Sequence, residues 1–127
     1  YNKAIELNPD DSISYYNRGI DYYNLKNYEK AISDYSKAIE INPNYSNAYY
    51  NRGNAYYQLK QYEKAISDYN KVIELNPDDV SAYNSRGYNY LKMKNYDAAF
   101  ELVEELKHLA PNYQAVYLPL FVIVLSL

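Results

Sequence analysis

Apolar and aromatic residues recur along this chain every three or four positions, in runs that break at a fixed interval. Tyr15, Gly19, Tyr22 and Leu25 fall on one helical face, and after "KNY" the set Ala31, Ile32, Tyr35, Ala38 and Ile39 does so again. The pattern predicts two amphipathic helices joined by a short turn, a helix hairpin. It then returns. "AIELNP" (Ala4 to Pro9), "AIEINP" (Ala38 to Pro43) and "VIELNP" (Val72 to Pro77) close on prolines 34 residues apart, and "HLAP" places Pro111 one further interval on. Gly19, Gly53 and Gly87 keep the same spacing, as do Tyr28, Tyr62 and Tyr96. The expected organisation is a single domain: the end of a preceding unit in 1–11, full units at 12–45, 46–79 and 80–113, and an apolar segment at 114–127.

Asp10, Asn44, Asp78 and Asn112 follow the four prolines, and their side chains are expected to accept from the free N–H groups of the next helix start. Each of the three glycines sits inside the first helix of a unit, where Gly costs about 1 kcal/mol against Ala. The compensation expected is close helix approach. No phosphate-binding glycine loop is present.

The spacing Tyr15-x-x-x-Gly19-x-x-Tyr22, then Ala31, Tyr35, Ala38 and Pro43, resembles the tetratricopeptide repeat family. Tyr49, Gly53, Tyr56, Ala65, Tyr69, Val72 and Pro77 repeat it, and Tyr83, Gly87, Tyr90, Ala99 and Pro111 do so again. The resemblance implies an all-α fold, a right-handed α-solenoid of antiparallel helix hairpins whose first helices line a concave groove that docks peptides and proteins. On that footing the groove would carry Tyr16, Asn17, Ile20 and Tyr23 from the first unit, Asn47, Tyr50, Asn51, Asn54 and Tyr57 from the second, and Asn84, Ser85 and Tyr88 from the third. Such a surface is aromatic and amide, nearly without charge. Asn offers a donor and an acceptor to an extended backbone, and Tyr adds rigid contact area. Asn17 and Asn51 match the asparagine ladder some family members use, and Ser85 interrupts it. At the positions of the family's carboxylate clamp stand Tyr16, Ile20, Asn51, Ser81 and Ser85, of which only Asn51 fits. An acidic tail would be left without a cation, which disfavours that mode. The expected partner is an extended, weakly charged protein or peptide segment.

Composition narrows the chemistry further. A net charge of −3 with interspersed signs gives no footprint for nucleic acid, and the 20 tyrosines prove nothing by number alone. There is no Cys, and His108 is the single histidine, so neither a common zinc site nor a Ser-His-Asp arrangement is expected beyond it. His108 reads as a cation near a helix C-terminus, and Glu104-Glu105 as a solvated pair. No cofactor and no metal are expected, and the piece reads as a non-enzyme.

The tail and the arginines remain. "QAVYLPLFVIVLSL" keeps Tyr117 in register with Tyr83, but puts Leu120 for Arg86 and Phe121 for Gly87, and Pro119 is expected to delay any regular helix to about Leu118. Ala115 to Leu127 falls short of the about 20 residues a membrane span needs unless the chain continues, so a membrane segment is expected only in that case. Packing on the last repeat and then on a second copy, giving a homo-oligomer through 114–127, is one reading; a truncated terminus is another. The chain opens on Tyr1 inside a helix pattern, so it is also read as an array from a larger enzyme or membrane protein. Arg18, Arg52 and Arg86 precede the three glycines. Pairing each with the preceding unit joins Arg52 to Asp34, Arg86 to Asp68 and Leu120 to Leu102, and leaves Arg18 alone; pairing within units strands Arg86 against Leu102. The first scheme is expected.

Overall fold

The computed structural model describes residues 1–112 and 114–126, with side chains placed throughout except at 114–118 and 121. Among the described residues it is all helix: α1 (Asn2–Leu7), α2 (Ser12–Asn24), α3 (Tyr28–Ile41), α4 (Ser46–Gln58), α5 (Tyr62–Leu75), α6 (Val80–Lys92), α7 (Tyr96–Leu109) and α8 (Gln114–Leu125). Each helix packs on its sequence neighbours, α2 also meets α4, and α8 rests on both α6 and α7. This is a solenoid of helix hairpins.

Small residues decide how closely the helices approach. Ala31, Ala38, Ala48, Ala55, Ala65, Ala82 and Ala99 are fully buried at the crossings. A Cβ at Gly19 would lie 2.7 Å from the Tyr35 ring, and one at Gly53 2.8 Å from the Tyr69 ring, so the second helix of each hairpin lies directly on the glycine of the first. The hairpin turns are made without glycine. Lys26, Lys60 and Lys94 take φ of 61°, 60° and 59°, and the following amides of Asn27, Gln61 and Asn95 reach back to Tyr22, Tyr56 and Tyr90 carbonyls at 2.8, 2.9 and 2.9 Å. These bonds offset the roughly 1–2 kcal/mol that a left-handed residue with a side chain costs.

The caps sit one residue later than the sequence suggested. Asp11 accepts from the amides of Ile13 and Ser14, and Asp79 from that of Ala82, whereas Asp10 and Asp78 are exposed. The reason is the turn before them: Asn8 and Asn42 side chains accept the amides of Asp10 and Asn44, and this turn uses one residue more before the helix begins. At the start of α4 the capping position is Tyr45, which makes no side-chain cap bond. The cap expected from Asn112 lies against residues outside those described.

Helix α8 also departs from expectation, because it runs through Pro119 instead of starting after it. Proline removes one helical hydrogen bond, a cost of about 3 kcal/mol. Burial supplies the compensation: Leu120 and Val124 pack with Ala99 and Val103, under Tyr88, Tyr90 and Leu91. On the other side Val122, Ile123 and Leu125 stay exposed. The registers expected for Tyr117 and Phe121 fall on side chains outside those described. Among the described residues no helix is long and apolar enough to cross a membrane.

Candidate functional site

The arginines come first, because they determine the charge of the surface. Arg52 donates from Nε and Nη2 to both oxygens of Asp68 at 2.9 and 2.7 Å, and Arg18 does the same to Asp34 at 2.7 and 2.7 Å. These are forks within one hairpin, which overturns the expected pairs Arg52 to Asp34 and Arg86 to Asp68 and gives Arg18 a partner. Packing explains it. Tyr35 lies on Gly19 and Tyr69 on Gly53, so the aspartate next to each tyrosine arrives beside the arginine next to each glycine. Burial pushes the Asp68 carboxyl above the usual carboxylate value, and the Arg52 fork only partly offsets it. Burial also opposes the Arg52 charge, but the bonds to Asp68 outweigh it and raise the guanidinium. We take the pair as ionised at neutral pH, because a two-pronged fork needs both carboxylate oxygens as acceptors.

The link to the preceding unit exists, but its acceptors are uncharged. Nη1 of Arg18, Arg52 and Arg86 donates to Asn2, Ser36 and Asn70 at 2.9, 3.1 and 2.8 Å. Sequence reasoning missed these three residues, although they too stand 34 apart. Tyrosines bracket two of the guanidinium groups, Tyr15 and Tyr22 at 5.6 and 5.9 Å from Arg18 and Tyr49 and Tyr56 at 5.6 and 5.9 Å from Arg52, while Arg86 lies 5.4 Å from the Tyr83 ring. Arg86 faces Leu102 in place of an aspartate; it reaches the exposed Glu105 at 3.3 Å, and its Nε has no partner.

The second tyrosine of each "YYN" points elsewhere. Tyr16 stacks between Tyr35 and Tyr45, at 5.9 and 4.9 Å, and its hydroxyl accepts from Asn51 Nδ2 at 2.8 Å. Burial raises its phenol above the ordinary value, against the pull of that hydrogen bond. Tyr50 stacks on Tyr69 at 5.7 Å and shares a 3.1 Å hydrogen bond with Ser85. Tyr69 in turn donates to Asn54 Oδ1 at 2.7 Å. Tyr23 and Tyr57 meet Tyr28 and Tyr62 edge-on at the hairpin ends. Tyr16 with Asn51 and Tyr50 with Ser85 therefore join neighbouring units on the face of α2, α4 and α6, while Asn54 is held within its own hairpin. Asn47 is exposed, Asn17 and Ile20 are half-buried, and Asn84 carries a buried Oδ1 without a partner. Tyr88 is drawn under α8. Between α2 and α4 this face opens into a hollow of ≈ 170 Å³ lined by Ile20, Tyr23, Asn24, Tyr35, Asn51 and Asn54.

Other candidate chemistry is dispersed. His108 is exposed in the last turn of α7, and Glu104 and Glu105 are not a free acidic pair: one meets Lys107 at 3.4 Å and the other Arg86. Among the described residues no group of three or more His, Cys, Asp or Glu could hold a metal ion.

No curated protein sequence matches the chain. Solved structures do. The first tetratricopeptide domain of Spaghetti (RPAP3), bound to the HSP90 peptide SRMEEVD, is 27% identical over 91% of both chains with a TM-score of 0.78. MamA is 25% identical over 92% of this chain and 68% of its own, with a TM-score of 0.83. YrrB, described as having an unusual peptide-binding site, is 25% identical over 91% of this chain and 59% of its own, with a TM-score of 0.75. Tetratricopeptide repeat models match residues 12–45, 46–79 and 68–101. With a hairpin register, a glycine contact and a repeat model agreeing over more than half its length, the chain belongs to the tetratricopeptide repeat family.

Proposed function

We propose that the face of α2, α4 and α6 binds an extended, weakly charged peptide segment, and that the chain is an interaction module and not an enzyme. The observation that carries this is the division of labour between adjacent residues. The guanidinium groups of Arg18 and Arg52 are held by Asp34 and Asp68, while the neighbouring Tyr16, Asn17, Tyr50 and Asn51 supply phenols and amides to the other face. The similar domain of Spaghetti holds an acidic peptide. Here Arg18 and Arg52 are already held by Asp34 and Asp68, so an acidic segment would find neither of them free, and a neutral one is favoured. Asn51 keeps its oxygen for a ligand after its nitrogen has bonded Tyr16. An array of uncharged and charged decapeptides, read with the parent chain and with Asn17→Ala/Asn51→Ala, tests the reading. Uncharged sequences should bind best, and the double substitution should weaken them about tenfold. Undiminished binding removes the groove.

A second reading is self-association through the tail, favoured by Val122, Ile123 and Leu125, which are 58, 40 and 59% exposed on one helix. Light scattering on the parent chain and on Val122→Lys/Leu125→Lys decides it. A monomer in both ends this reading.

A further inference from the structure

We propose that the hollow between α2 and α4 is a specificity pocket for one carboxamide side chain, a glutamine or asparagine of the bound segment; this rests on the groove reading above. Its volume of ≈ 170 Å³ is well below the about 300 Å³ at which drug-sized sites begin, so it takes a single side chain. Its walls contain no charge.

Hydrogen bonds already made fix what the walls still offer. Asn51 spends a donor on Tyr16, and its Oδ1 is left as an acceptor. Asn54 spends its acceptor on the Tyr69 hydroxyl, and its Nδ2 is left as a donor. That orientation of Asn54 is set by the 2.7 Å bond in which the Tyr69 hydroxyl places its proton on Oδ1. Three residues apart on α4, Asn51 and Asn54 face one hollow with an acceptor and a donor. A primary amide presents the complementary donor and acceptor on one plane, and the Tyr23 and Tyr35 rings and Ile20 flank its methylene stem. A carboxylate would put an oxygen against Asn51 Oδ1, and an aliphatic chain would leave both amides unpaired.

The pair does not recur. The equivalent positions are Asn17 and Ile20 on α2, and Ser85 and Tyr88 on α6, with Ser85 engaged by Tyr50 and Tyr88 under α8. One pocket in the array would therefore fix the register of the bound segment.

The test uses the whole chain, labelled with nitrogen-15, and capped nonapeptides of alternating Ala and Ser with Gln, Glu, Leu or Ala at the centre. The Gln peptide should bind about tenfold more tightly than the Glu and Leu peptides and shift the side-chain signals of Asn51 and Asn54. Asn54→Asp, which keeps an acceptor for Tyr69 but loses the donor, should abolish that preference. Equal affinity for Gln, Glu and Leu overturns the pocket and spares the groove. Failure of every peptide to shift signals on α2 or α4 overturns both.

Discussion

The second and third hairpins share a register, and among the positions where they differ are two neighbours at the helix crossing, Asp68-Tyr69 against Leu102-Val103. In the second, Tyr69 lies on Gly53 and Asp68 completes the Arg52 fork. In the third, Leu102 and Leu120 of α8 crowd Gly87 where the second hairpin has a tyrosine ring. The polar cost is visible: the buried side-chain atoms left without a partner, among the described residues, are Asn84 Oδ1, Arg86 Nε and Asn89 Oδ1, all on α6. Two substitutions thus change an ion-paired seam into an apolar socket for a further helix, and the arginine inherited from the repeat is left half satisfied.

The sharpest way to break this contrast is Asp68→Ala, which leaves Arg52 buried and unpaired and should cost about 3–5 kcal/mol. Urea unfolding followed by circular dichroism reads it, with the second hairpin melting first, since arrays lose units locally. Leu120→Ala should cost about 2–4 kcal/mol by opening a cavity over Gly87. Loss of α8 protection in hydrogen exchange identifies it. Gly53→Ala should cost about 1–2 kcal/mol, overpacking against the rigid Tyr69 ring less the helix gain, while Gly87→Ala meets leucine methyls that can turn away and costs less. Equal losses would remove the distinction between ring and methyl contact. Arg86→Leu should change stability by no more than about 1 kcal/mol, because it deletes an orphaned Nε. A loss like that of Asp68→Ala would show the two arginines to be equivalent.

A smaller effect is set by pH. The Ser14 hydroxyl, bonded to Asp11 at 2.5 Å, holds the Asp11 carboxyl below its ordinary value. Its support of the α2 start is complete above the unfolded value of 3.8 and is lost as pH falls through the lower folded one. Asp11→Asn should flatten that acid limb. The third hairpin, capped by Asp79, serves as the internal comparison.

Much of this was legible in the residues. The 34-residue interval gave hairpin, turn and unit together, and Gly19, Gly53 and Gly87 announced close helix approach before any coordinate. The arginine partners were not legible by counting mismatches, because the deciding fact is spatial: a ring resting on a glycine brings its neighbour Asp34 or Asp68 to the same hairpin's arginine. Pro119 misled for a related reason. Local propensity ends a helix there, and the burial of Leu120 and Val124 against α7 overrides it. On the face of α2, α4 and α6, sequence placed Asn51 and Asn54 on one helix, but which atom of each amide is free depends on Tyr16 and Tyr69, thirty-five positions before and fifteen after them.

The arginine geometry has a mechanical consequence. Inside the first two hairpins the guanidinium grips with two charged prongs, yet to the previous unit it extends one prong to an uncharged side chain, Asn2 or Ser36. Stiff elements joined by compliant ones behave as a spring. Pulled from its ends, the array should lengthen reversibly by pivoting hairpin on hairpin well before any hairpin opens, and the same pivoting would widen or tighten the face of α2, α4 and α6.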